Sequence, residues 1–416
     1  MTGAGKTRLG IEAVSECLAR AGKSVVVVPG KPLLYQWRSA LRAALPGVRV
    51  GLLGDGCREH LRDVEVLVST VNLARSTDLG LRSAHGLLVA DECHRYGSDV
   101  NRFALAGEFR WRLGLSATHE RTDGFHETVI EPYFSGVVFR YGYAQAIAEG
   151  VVARFLVALI GVAFSDDERA QYEYLSEKLR RARTVLLHVY KIPAEPFGVF
   201  IKAVNELSVH GNKRESIAAG QYLSVFNRRK ALLAETEAKI DALARLEQVI
   251  CESSRVIIFT QTVAATMRVH EELVDLGVDA DCLHSRMDAA SRRDVLARFK
   301  NGRLHAIVAP QLLDEGLDVP SADLGIIVAA SRQRRQMIQR MGRCLRPKES
   351  GARARFVVLY VQGTSEDPRH GAHDSFLDEI TGPADAVRDF DSLQTAEDVS
   401  AFLTPTGTGC TLPATT

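Results

Sequence analysis

The chain has 416 residues, 46% of them hydrophobic and 25% charged, with a formal net charge of +1. That length suits about two to three domains, and the apolar share excludes wholesale disorder. The near-neutral balance excludes a passive polyanion coat, so any nucleic-acid contact must come from local patches.

The first element is Thr2-Gly3-Ala4-Gly5-Lys6-Thr7. A Gly-rich turn ending in Gly-Lys-Thr is the close of a phosphate-binding loop. Glycine lets backbone N–H groups curl round phosphates, and the helix that starts there adds the positive end of its dipole. Lys6 is expected on the β and γ phosphates and the Thr7 hydroxyl on Mg²⁺. The full G-x-x-x-x-G-K-[ST] pattern would begin one residue before Met1, so the loop is expected to be shortened at its N-terminal side. Taken alone, a chance Gly-Lys-Thr in a flexible start is an equally open reading.

Short apolar runs follow at 25–28, 64–68, 87–90 and 113–115, then again at 256–259, 306–309, 324–329 and 356–361. Each is trailed by a helix-like polar stretch, the pattern of parallel sheets covered on both faces. Its double occurrence predicts two α/β lobes. Between them, 155–164 reads as a buried strand. Residues 165–250 are rich in Glu, Lys, Arg, Ala and Leu and predict an exposed helix over 166–183 and a long amphipathic helix over 228–251. Pro193 and Pro196 interrupt the stretch between these helices. The expected division is a first lobe over 1–143, a connector strand and helical insertion over 144–250, a second lobe over 251–385, and a flexible tail over 386–416.

The seven cysteines show no C-x-x-C pair, which argues against a zinc cluster and a disulfide scaffold and for a reducing compartment. No apolar run reaches membrane-spanning length and no signal peptide is evident. A cytoplasmic protein without a membrane partner is expected.

The run Leu87–Ala90 ends in Asp91-Glu92-Cys93-His94. Two carboxylates at a strand end are the second half of a nucleotide-hydrolysing site: Asp91 to hold Mg²⁺, Glu92 to orient and deprotonate the attacking water. The bland alternative is a solvated acidic turn.

With these residues in view, Asp-Glu-Cys-His resembles motif II of the DEAH/DECH-type superfamily 2 helicases. Gly114-Leu115-Ser116-Ala117-Thr118 resembles their motif III, which joins the ATP site to the nucleic-acid groove. On that likeness His94, Ser116, Ala117 and Thr118 are coupling residues. Gln336 to Arg346 matches motif VI, Q-x-x-G-R-x-x-R, implying that Arg343 and Arg346 are arginine fingers and that Gln339 senses phosphate. A basic helix face would explain the two arginines but not the glutamine and glycine with them. Asp314 to Pro320 resembles motif V, which places Gly316 and Asp318 at the nucleotide, and Ile257 to Gln261 resembles motif IV. Two stretches, Phe109–Gly124 and Ser331–Lys348, look most like the XPB-like branch and related bacterial repair and defence motors. The chain departs from the family at Pro310, where a Thr is usual, and at His119, where a Pro is usual. Both departures put the coupling of hydrolysis to movement in doubt.

The resemblance implies two RecA-like parallel-sheet lobes with a helical insertion between them, using ATP and Mg²⁺ at the lobe interface. Nucleic acid is the implied partner, DNA ahead of RNA, with protein partners from a repair or defence system possible. Pro29, Gln36, Trp37, Ser69, Thr70, Thr260 and His284 are its candidate contacts, gripping phosphates without reading bases. Trp37 serves equally well as a core residue. Lys178, Arg180, Arg181 and Arg183 read first as a solvated helix face. Three further readings stay open: a double-strand translocase that parts no strands, an inactive ATPase fold acting as a scaffold, and a metabolic phosphate-loop enzyme that would not need motifs V and VI.

Overall fold

The computed structural model describes residues 5–79, 85–105, 109–117, 124–310, 322–329, 353–370, 382–391 and 396–404. The chain forms two compact units, one running to Gly142 and also taking in Ala182–Leu223, the other built from Tyr143–Arg181 and most of the chain after Ser224.

In the first unit, helix α1 (Lys6–Ala19) leads into β1 (Lys23–Val28), α2 (Lys31–Ala44), β2 (Val50–Gly54), β3 (Cys57–Arg58), β4 (Val66–Thr70), α3 (Val71–Ala74), β5 (Gly86–Asp91) and β6 (Trp111–Leu115). The strands make one sheet in the order β3-β2-β4-β1-β5-β6. All pairs are parallel except the β2–β3 hairpin. The strand character of β1 follows from four consecutive β-branched valines, and strict alternation sorts them onto two faces. Val25 and Val27 join a core layer with Leu67, Leu88 and Tyr96. Val26 and Val28 join the opposite layer with Val14, Trp37 and Leu41. α1 buries Gly10, Val14 and Cys17, and α2 buries Leu34, Trp37 and Leu41, the spacing of one helical face.

Because β1, β4, β5 and β6 run parallel, their carboxyl ends lie along one edge of the sheet, where open α/β sheets place their ligands. Val27 pairs with both Ser69 and Ala90, and Asp91 pairs with Leu115. Four separate sequence motifs are thereby brought side by side.

The second unit has a seven-stranded sheet, β13-β7-β12-β11-β8-β10-β9, from β7 (Phe155–Val162), β8 (Val256–Phe259), β9 (Ala280–Cys282), β10 (Ala306–Ala309), β11 (Leu324–Ile327), β12 (Ala354–Val361) and β13 (Ala386–Phe390). All its pairings are parallel. The helix Val263–Asp275 is capped by Thr262, whose side chain accepts from the Ala265 N–H, and the helix Ala289–Lys300 by Asp288.

The structure revises three boundaries. β7 is not part of a connector: its eight buried residues pair with β12 along their whole length, so this sheet begins well before residue 251. The stretch from 386 is not a frayed tail at its start. β13 adds to the free edge of β7, with Phe390 buried, and a helix over Ala396–Leu403 buries Val399 and Leu403. The long helix expected over 228–251 is broken into three helices, Lys213–Glu235, Glu237–Ala244 and Glu247–Cys251. Thr236 is extended at φ −60° and ψ 137°, and this re-aims the helix Glu237–Ala244 so that Ile240 and Leu243 join the core beside β7. The exposed helix predicted from Asp166 runs to His188, with Ser165 and Glu168 capping its start reciprocally.

The bend also buries Lys239, whose Nζ lies 2.6 Å from Glu366 Oε2. Burial pushes the lysine down and the glutamate up, and each partner's charge opposes the other's shift. Glu366→Gln should cost about 3–5 kcal/mol in urea unfolding, because it strands a charge away from water. Lys239→Met combined with Glu366→Leu should recover most of that loss. A single variant as stable as wild type would show that the pair buries no charge.

Candidate nucleotide site

Gly5 caps α1 in the left-handed region at φ 79°, a conformation that favours glycine, and no acidic side chain occupies the helix's first turn. This leaves the turn's free N–H groups and dipole for an anion. Lys6 follows at once, and its Nζ reaches Glu92 Oε1 at 3.1 Å. Thr7 sits half-buried beside it. Thr2, Gly3 and Ala4 lie outside the described residues.

Asp91 is the last residue of β5 and is buried. Its Oδ2 accepts from the indole Nε1–H of Trp37 at 2.8 Å, and its Oδ1 accepts from the Glu92 N–H at 3.0 Å. Burial raises the Asp91 pKa, as does the neighbouring Glu92 charge, against the pull of Lys6 and the indole. In a strand, successive side chains point to opposite faces. Glu92 escapes that rule because it is left-handed, at φ 51° and ψ 48°, which turns its carboxylate toward Lys6. Glu92 Oε2 is buried without a hydrogen-bond partner, with His94 Nδ1 3.4 Å away.

His94 is buried, and its Nδ1 is 2.9 Å from Ser116 Oγ, tying the end of β5 to the residue just after β6. Ala117 follows in the same loop, while Thr118 lies outside the described residues. The fully buried Tyr96 donates its hydroxyl to the Val27 carbonyl at 2.8 Å and pins this loop to β1. Burial pushes the Cys93 thiol up to about 12, so it is an inert packing group rather than a nucleophile.

The residues present fit a hard divalent cation. Asp91 takes one donor on each oxygen and so keeps acceptor capacity on both, and Thr7 adds a half-buried hydroxyl at the start of α1, a hard oxygen donor set. Among the described residues no group of three or more His, Cys, Asp or Glu side chains could cage a metal. Mg²⁺ binds by one or two carboxylates together with substrate phosphates and needs no such cage.

The candidate nucleic-acid contacts divide differently. Trp37, Ser69, Thr70 and Thr260 are buried. The Trp37 ring packs in the core and its one donor is taken by Asp91. Ser69 donates to the Thr70 carbonyl, and Thr260 shares a 2.7 Å hydrogen bond with Thr266. Trp37 lies on the buried face of α2, Ser69 and Thr70 end β4, and Thr260 follows β8, so all four side chains are packed rather than exposed, and contact there would fall to backbone groups. Gln36 is exposed, Pro29 half-buried, and His284 half-buried with its Nδ1 accepting from the Arg286 N–H. Gly316, Asp318, Gln339, Arg343 and Arg346 lie outside the described residues. Sequence reasoning missed the Trp37–Asp91 bond. The only signal for it was a tryptophan at a buried position of α2's apolar face.

A Gly-Lys-Thr helix start facing two strand-end carboxylates is the arrangement of a P-loop nucleotide hydrolase. Comparison with known proteins narrows the class. Residues 1–121 match the family model described as type III restriction enzyme, res subunit, and residues 238–348 match that of the helicase conserved C-terminal domain. The DNA 3'-5' translocase XPB2 of Sulfurisphaera tokodaii is 26% identical over 366 residues, covering 88% of this chain and 77% of the relative. The DNA 3'-5' helicase XPB of Kineococcus radiotolerans is 24% identical over 382 residues, 89% of this chain and 57% of the relative. Among solved structures, the Pyrococcus furiosus Hef helicase domain aligns with a TM-score of 0.54 at 19% identity, covering 89% of this chain and 93% of that one. S. cerevisiae Dbp5 bound to RNA and ADP BeF3 aligns at 0.53 with 12% identity, covering 91% and 79%. These two likenesses show the fold, two RecA-like lobes. The two family matches and the XPB relatives together support a superfamily 2 helicase similar to the XPB-like branch.

Proposed function

We propose that this protein is an ATP-dependent DNA translocase or helicase, with DNA rather than RNA as its track. The observation that carries the chemistry is the Lys6, Asp91 and Glu92 cluster at the sheet edge. Lys6 binds the β and γ phosphates. A triphosphate competes with Glu92 for the same ammonium, so phosphate binding releases the Glu92 carboxylate to take a proton from the attacking water. Asp91 and Thr7 would hold Mg²⁺, which when bound would supply positive charge to offset that of the triphosphate. By resemblance Arg343 and Arg346 neutralise charge on the transferred phosphoryl group, Gln339 senses it, and Gly316 and Asp318 border the nucleotide. Preference for DNA is supported by the printed activities of the XPB2 and XPB relatives. Repair or defence proteins as partners, and a cytoplasmic location, belong to this reading through the resemblance of the motifs alone. No helix among the described residues is long and apolar enough to cross a membrane.

The test is the ATP hydrolysis rate with single-stranded DNA, duplex DNA and RNA, beside strand-displacement and triplex-displacement assays. DNA should stimulate hydrolysis and RNA should not, and stimulation should fade with rising salt as phosphate contacts weaken. Triplex displacement with the duplex intact marks movement without unwinding. Hydrolysis indifferent to all three polymers would sink the motor reading.

The His94–Ser116 bond joins the carboxylate loop to the loop after β6. Ser116→Ala should remove about 0.5–2 kcal/mol of coupling, a several-fold loss of DNA stimulation. Basal hydrolysis and ATP affinity should hold. Equal losses with and without DNA would assign Ser116 to hydrolysis itself.

A further inference from the structure

The geometry points to Trp37 as the positioning residue that holds Asp91 in the orientation needed to seat Mg²⁺, an inference that rests on the ATPase reading above. Three observations support it. The indole N–H donates to Asp91 Oδ2 at 2.8 Å in a buried setting, where the carboxylate has little water to turn to. The other oxygen, Oδ1, accepts from the Glu92 N–H at 3.0 Å. The carboxylate plane is therefore fixed by one donor on each oxygen, leaving the remaining lone pairs available to a metal-bound water or a metal. The helix that follows the phosphate turn is also shaped to admit this ring. A Cβ at Gly10 would lie 2.5 Å from Trp37 Cη2 and 3.2 Å from Leu115 Cδ1, so α1 approaches the indole as closely as it does only because residue 10 has no side chain.

The indole thus lies where α1, α2, the end of β5 and the end of β6 meet. A metal-ligating carboxylate held by an outer hydrogen bond gains orientation from it, and loss of such a partner commonly costs about 10–100-fold in metal affinity or activity. Trp37 touches neither phosphate nor metal in this account; it acts through Asp91.

Two substitutions separate the N–H from the ring. Trp37→Phe keeps an aromatic group but leaves a gap. Replacement of Trp37 by benzothienylalanine keeps the bicyclic shape and puts sulfur where the N–H was. Each is assayed for the Mg²⁺ concentration giving half-maximal hydrolysis at saturating ATP, for ATP affinity in EDTA, and for melting temperature. The expected result is a rise of about 10–100-fold in half-saturating Mg²⁺ with metal-free ATP affinity unchanged, in both variants. A second readout needs no turnover. The chain has two tryptophans, and Trp111 pairs with Leu87 at the far end of β5 from Asp91. With Trp111→Phe in place, Mn²⁺ added with ATP should quench the remaining Trp37 emission, and Asp91→Asn should abolish the quench. Unchanged Mg²⁺ dependence in the benzothienylalanine protein would overturn the inference and leave Trp37 as packing alone, as would parallel losses of metal-free affinity and Mg²⁺ response. A wild-type protein whose nucleotide binding ignores both Mg²⁺ and Mn²⁺ would overturn the ATPase reading itself, a different outcome from the first.

Discussion

Glu92→Gln is expected to lower the maximal rate of ATP hydrolysis by about 10²–10⁴-fold, the range that a positioned general base contributes. The amide keeps the length and shape of the side chain but cannot take a proton from water. Lys6 loses the carboxylate that lies 3.1 Å from its ammonium, so nothing then competes with phosphate for that charge. ATP affinity should hold or rise while turnover collapses, a split that loss of folding would not produce. Single-turnover hydrolysis beside calorimetric ATP binding reads both quantities. A variant that hydrolyses at the wild-type rate would remove Glu92 from the chemistry and leave it as the structural partner of Lys6.

Arg343→Ala should cost more, about 10³–10⁵-fold in turnover, where an arginine neutralises the charge that builds on the transferred phosphoryl group. Arg343 lies outside the described residues, so the expectation stands on motif VI, its Gln-x-x-Gly-Arg spacing and the match of residues 238–348 to the helicase conserved C-terminal domain. Ground-state ATP carries less of the charge that the arginine meets in the transition state. ATP binding should therefore fall far less than the rate. Arg343→Lys discriminates further: a lysine restores charge without the planar fork, so a partial rescue would separate charge from geometry. If Arg343→Ala hydrolyses ATP normally with saturating DNA, the finger belongs to another residue.

The parts of the fold legible in sequence are those set by local pattern. Val256–Phe259 and Ala306–Ala309 form strands over the residues where their apolar runs lie, because a short uninterrupted apolar run with β-branched residues at its centre has few other uses. Short or glycine-rich strands left no such trace. Val50–Gly54 contains two glycines and Ala280–Cys282 is three residues long with an aspartate at its centre. Both become strands only because a neighbouring strand offers its backbone groups. The start of the C-terminal stretch reads as tail because its residues alternate weakly and end among Thr, Pro and Gly. The free edge of β7 makes 386–390 a strand.

At the site, sequence by itself determined which chemical groups were on hand: a lysine after a glycine turn, two carboxylates ending an apolar strand, and a histidine and a serine in the loops that follow. These identities are local, and so is the strand that delivers them. Only the tertiary structure decided where they point. The left-handed turn at Glu92 swings its carboxylate toward Lys6, across 86 residues of chain. The packing of α2 on the sheet sends the Trp37 indole inward to Asp91, 54 residues away, rather than outward to a strand of nucleic acid. A residue's own pattern fixes which face of its element it occupies. What it meets on that face depends on contacts far apart in sequence, and those are set by how whole layers pack.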